Sequence, residues 1–137
     1  MCIRDSCYKE LNIEECLLYE LPDWIDLFSN LEKIHARFNR LSSLPEEVSE
    51  LQKLTFLDIS ENHFGEIPEC IFLLEQLTNL NLSYNIIVEL PKEIVNLVNL
   101  KYLNIGFNKL AILPDYIANL TESVSYTHLT LPTTPYV

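Results

Sequence analysis

Glycine is almost missing, with only Gly65 and Gly106 in 137 residues. A phosphate-cradling loop needs several glycines close together, so loops of that kind are excluded. Basic residues are scarce as well, nine Lys and Arg against twenty Asp and Glu, for a net charge of −11. Binding to nucleic-acid phosphates requires clustered Lys and Arg, and the balance excludes nucleic acid as a general partner. No apolar run reaches the ~18 residues of a membrane-spanning helix, and no membrane partner is expected.

Candidate chemistry is equally thin. The four cysteines, Cys2, Cys7, Cys16 and Cys70, form no Cys-x-x-Cys pair. Free thiols fit a reducing compartment, which gives an expectation of a cytoplasmic protein. Of three histidines, His128 lies in the tail and only His35 and His63 stand near acidic residues. A zinc site needs three or four ligands, so no metal and no cofactor are expected. Nothing matches a Ser-His-Asp set or a dinucleotide fingerprint, and no catalytic residue is assigned. The expectation is that this segment is not an enzyme.

The two ends mirror each other as DNA. Written as ATG TGT ATA AGA GAC, the codons of Met1 to Asp5 have a reverse complement encoding Val-Ser-Tyr-Thr-His, which is Val124 to His128. An inverted pair of this kind resembles a translated sequencing adapter; a true inverted repeat in the gene is the alternative. Residues 1–6 and 123–137 are therefore expected to be adapter-derived and are set aside from fold reasoning. The remaining domain, 7–122, is expected to be truncated at both ends, a slice of a longer molecule.

What the chain does have is a period. Pro22, Pro45, Pro68, Pro91 and Pro114 are each 23 residues apart. With proline near one residue in twenty, such a series arises by chance about once in a hundred thousand. Counting repeats from Tyr8, Leu31, Leu54, Leu77 and Leu100, position 4 reads Leu11, Ile34, Leu57, Leu80 and Leu103. Position 6 reads Ile13, Ala36, Ile59, Leu82 and Ile105, and position 9 reads Cys16, Asn39, Asn62, Asn85 and Asn108. Positions 4 and 6 share one side of a short strand, leaving 3, 5 and 7 to solvent. Proline at 15 ends that pattern and suits the first turn of a helix. Positions 14, 18 and 21, as in Leu90, Ile94 and Leu97, then follow helical spacing.

The pattern LxxLxLxx[NC]xLxxLPxxIxxLxx resembles the leucine-rich repeat family over residues 8–122. The resemblance implies an α/β fold: a right-handed solenoid of five 23-residue repeats, a parallel sheet on its concave side and short helices or helical turns on its convex side. It also implies a ladder in which Asn39, Asn62, Asn85 and Asn108 bond the backbone of adjoining turns, with Cys16 filling the slot in repeat 1.

The family's usual binding side is the concave face. Its expected exposed columns are positions 3, 5, 7, 8 and 10. These place glutamates in repeat 1, basic residues in repeat 2, and aromatics among amides in repeats 3 to 5. Exposed aromatics and Arg are hot-spot types. Arg37, Phe38, Phe56, Asp58, Tyr84, Tyr102 and Phe107 are the expected partner-binding residues. For Phe38, Tyr84 and Phe107, all at position 8, the alternative is stacking along the rim. His35 is expected to lie beside Asp58, and the cations of repeat 2 to pair with the glutamates of repeat 1. The function expected is a non-catalytic module for a protein or peptide partner, part of a scaffold or signalling protein. The alternatives are the recognition arm of a multidomain enzyme, and an extracellular receptor or adhesin segment.

Overall fold

The computed structural model describes residues 9–111 and a short strand, Ser125–Tyr126. Five three-residue strands recur at the sequence period: β1 (Glu10–Asn12), β2 (Lys33–His35), β3 (Phe56–Asp58), β4 (Asn79–Asn81) and β5 (Tyr102–Asn104). With β6 (Ser125–Tyr126) they form one open parallel sheet in the order β1 to β6. Each strand pairs with the next 23 residues on, as in Leu57↔Leu80 and Leu80↔Leu103. The sheet is parallel because each repeat is a full coil that returns to the same starting edge. The sequence period is thus the strand register.

The expectation of foreign ends falls largely outside the described residues. So do Cys7 and Pro114. The backbone of Ser125 and Tyr126 pairs with Tyr102 and Leu103.

The backs of the first four repeats are 3-10 turns, Asp23–Leu27, Glu46–Glu50, Glu69–Leu73 and Lys92–Asn96. Proline does not sit inside the first turn. Pro22, Pro45 and Pro91 keep extended dihedrals and cap it from outside. Their carbonyls accept from the N–H three residues on, as Pro45 does from Val48 at 3.1 Å. The tighter winding follows from the short span available: five residues must drop Val48, Ile71 or Ile94 into the core and return to the next strand.

Positions 4, 6, 11, 14, 18 and 21 fill one continuous core that includes Leu57, Ile59, Phe64, Ile67, Ile71 and Leu74. No single repeat encloses these side chains; neighbours do it by stacking. Strands lie ~4.8 Å apart, closer than the bulkier turns can stack, so the coil bends toward its sheet.

Candidate functional site

The strands present two solvent-facing rows. One runs Glu10, Lys33, Phe56, Asn79 and Tyr102, and the other Asn12, His35, Asp58, Asn81 and Asn104. Between β3 and β5 lies a depression of about 200 Å³, lined by Phe56, Asn79, Leu80, Asn81, Tyr102 and Asn104. Tyr102 is 54% exposed, and the half-buried Phe56 ring leans on His35 with centroids 4.9 Å apart.

The second row is fixed by local turns. Asp58 Oδ1 accepts from the Ser60 N–H and hydroxyl, and Asn81 Oδ1 accepts from those of Ser83. Asn104 Oδ1 accepts from the Gly106 N–H at 3.0 Å. These are Asx turns, in which a short side chain bonds backbone two residues ahead. They correct the expected exposure of position 7 in repeats 3 to 5, where Ser60, Ser83 and Gly106 are buried under the row, whereas Arg37 in repeat 2 is exposed as expected. An Asp or Asn at position 5 with Ser or Gly at position 7 was the sequence signal for it.

The charged expectations are corrected in part. His35 and Asp58 are register neighbours, but His35 Nε2 bonds Glu10 Oε1 at 2.7 Å and Nδ1 lies 3.9 Å from Glu14 Oε1. Asp58 is already committed to Ser60. Arg37 turns away from repeat 1 and donates to Glu61 Oε1 in repeat 3 at 2.8 Å. That hydrogen bond, first among its causes, raises the Arg37 pKa above its usual value. Arg40 donates to the Tyr19 hydroxyl. Reach decides the pairing: Arg37 follows the strand's last residues and meets the next coil, not the previous one.

Position 8 has a backbone peculiarity that the sequence pattern did not reveal. Glu15, Phe38, Glu61, Tyr84 and Phe107 all adopt left-handed φ values between 53° and 59°. Non-glycine residues rarely do so. The twist lets the N–H of Tyr84 reach Gly106 O and that of Glu61 reach Ser83 O, continuing the ladder past the strand. It also throws the side chain outward. Tyr84 and Phe107 stack at 4.3 Å with planes 6° apart, and the Arg37 guanidinium lies 4.6 Å above the Phe38 ring.

The next residue turns inward. Asn62 Nδ2 donates to Ala36 O, Ile59 O and Ser60 O, while its Oδ1 accepts from Leu41 N–H. Asn85 donates to Ile59 O, Leu82 O and Ser83 O and accepts from Phe64 N–H. Asn39 and Asn108 repeat the arrangement, Asn108 accepting from Ile87 N–H. Cys16 departs from its expected core position: it is exposed, and its thiol bonds Glu14 O within its own turn. Each ladder asparagine bonds the coil before its own, and among the described residues no coil precedes that of Cys16. Cys70 is buried, and desolvation pushes its thiol pKa up to about 11.

Among the described residues no group of His, Cys, Asp and Glu could hold a metal ion, and no helix is long and apolar enough to cross a membrane. The surface offers recognition chemistry: rings, amides and ion pairs.

Comparison with known proteins agrees with the geometry. The leucine-rich repeat family model matches residues 29–87 and again 52–110. A leucine-rich repeat protein of Leptospira interrogans is similar in structure, with a TM-score of 0.67 and 31% identity over 83% of this chain. This chain spans 35% of that protein's length. No curated protein sequence matches. Leucine-rich repeat folds commonly mediate protein–protein interaction and are typically non-catalytic. The repeated register, the asparagine bonding and these two likenesses together show that the chain belongs to the leucine-rich repeat family.

Proposed function

We propose that this segment is a protein-binding module whose partner lies on the concave sheet face. The observation that carries the reading is the pair formed by half-buried Phe56 and exposed Tyr102 on one row, on either side of an uncharged depression. Aromatic side chains held on a rigid sheet lose little freedom on binding and bury much area, as interface anchors do. Phe38, Tyr84 and Phe107 flank this centre, since their rings already have neighbours on the rim. Arg37 and Asp58 are border residues, each already held by an acid or a turn. No catalytic role is assigned to the segment.

The test is capture of partners from a lysate by the intact chain and by the Phe56→Ser and Tyr102→Ser variants, with unfolding midpoints measured in parallel. Both side chains project from the sheet, so the variants should melt within a few degrees of the parent. Loss of one reproducible set of captured proteins in both supports the surface. An unchanged set with folding intact removes the concave face from consideration.

A further inference from the structure

The grooves on the turn side are ringed by carboxylates. One is lined by Glu66, Glu69, Glu89 and Glu93 among others, and a second by Asp26, Glu46, Glu47 and Glu50 with two serines. The concave depression differs from them in kind. None of its six lining residues is ionisable apart from the Tyr102 phenol, in a chain of net charge −11. Its charge complement is a neutral segment. A cationic partner would be drawn to the acidic turns instead.

Its hydrogen-bond pattern narrows the choice. Asn81 Oδ1 and Asn104 Oδ1 both accept from backbone N–H groups two residues on. The Thr78 hydroxyl, with one proton to donate, lies within bonding distance of both Thr55 O and Asn79 Oδ1. With the oxygens of Asn81 and Asn104 so engaged, each Nδ2 is turned the other way, and among the described residues neither has a bonded partner. A row of fixed donors calls for acceptors. The depression holds about 200 Å³. Small-molecule sites run from about 300 to 1,000 Å³, so this one suits a single side chain of a longer ligand. Phe56 and Tyr102 stand two strand spacings apart, with Asn79 between them in register. Adjacent strands lie ~4.8 Å apart, which sets the walls ~9.6 Å apart.

We infer that the depression receives an extended, uncharged peptide segment, one apolar side chain lodging between Phe56 and Tyr102 and main-chain carbonyls accepting from Asn81 and Asn104. The inference rests on the concave-face reading and adds the class of partner to it. The Asn81 and Asn104 amides set the orientation of the segment, and the two rings choose the side chain.

The experiment is selection of a random dodecapeptide display library on the intact chain, followed by affinity measurement of the enriched synthetic peptides. The measurements use the parent, Phe56→Ser, Tyr102→Ser and an Asn81→Ala/Asn104→Ala double variant, each checked for an unchanged circular dichroism spectrum. The expected result is a family of uncharged peptides sharing one apolar position. Their binding should fall at least tenfold in either ring variant and in the double amide variant. Cationic or acidic peptides that still depend on Phe56 and Tyr102 would overturn the neutral-segment inference and leave the concave reading standing. Enriched peptides indifferent to all these substitutions would overturn both. No enrichment at all counts against the inference.

Discussion

Asn62 shows how much one side chain does in this fold. It is 5% exposed and bonds four backbone groups, three carbonyls and one N–H, across two repeats. Alanine at this position leaves the buried Leu41 N–H without its acceptor, while the three carbonyls keep Asn39, Asn85 and the Phe38 N–H as donors. A buried polar group left unsatisfied costs ~1–3 kcal/mol. Asn62→Ala and Asn85→Ala are each expected to lower stability by about that amount in urea unfolding. An unchanged midpoint in both would show that the backbone groups find other partners. The polar residue at an otherwise buried slot was readable from its spacing alone. That Cys16 does not play the same part was not, because the motif does not say that the bonds run to the preceding coil, and no described coil precedes repeat 1.

At the scale of the repeat, the sequence period carried most of the fold. Leucine, isoleucine and proline columns gave the strand register and the buried set, because a coil that stacks on its own copy must bury the same positions each time. Two features were not legible in the hydrophobic pattern. The burial of position 7 in repeats 3 to 5 depends on a turn closed by position 5, and its signal lies in the polar pairing of Asp or Asn with Ser or Gly. The left-handed residue at position 8 is occupied by Glu, Phe and Tyr, none of which advertises positive φ. Tyr102 was legible as an exposed aromatic, whereas the ion pairs of His35 and Arg37 required knowing which neighbour each could reach.

Position 8 yields a prediction at the same scale. Glu61→Asn and Glu61→Val both remove the exposed pair with Arg37, so the difference between them isolates the backbone. Asn adopts left-handed φ readily, and a β-branched residue does so with difficulty. The left-handed conformation costs an ordinary residue roughly 1–2 kcal/mol. The Asn variant should therefore unfold several degrees above the Val variant. Equal melting temperatures would mean that the turn tolerates either geometry and that its φ is not a constraint on stability.

At the scale of the molecule, the charge is arranged as repulsion. All four described turns carry acid in their first turn, among them Asp23, Glu46, Glu47, Glu69 and Glu93, and none has a base in its last. Stacking brings these carboxylates into files along the convex side. The opposing term is small. The ion pairs of the described residues, Lys9–Glu32, His35 with Glu10 and Glu14, and Arg37–Glu61, involve groups with substantial exposure. Exposed pairs of this kind contribute ~0.2–1 kcal/mol each. Salt weakens both terms, so its net effect shows which is larger. Raising sodium chloride from 0.01 to 0.1 M shortens the screening length from about 30 to about 10 Å, enough to separate one repeat's carboxylates from those two or three coils away. The repulsion among many acids is long-ranged and loses more than a few contacts at salt-bridge distance do. The melting temperature should rise by a few degrees over that range. A fall would mean that the concave ion pairs outweigh the convex repulsion, and that the charged border around the Phe56–Tyr102 depression stabilises the sheet.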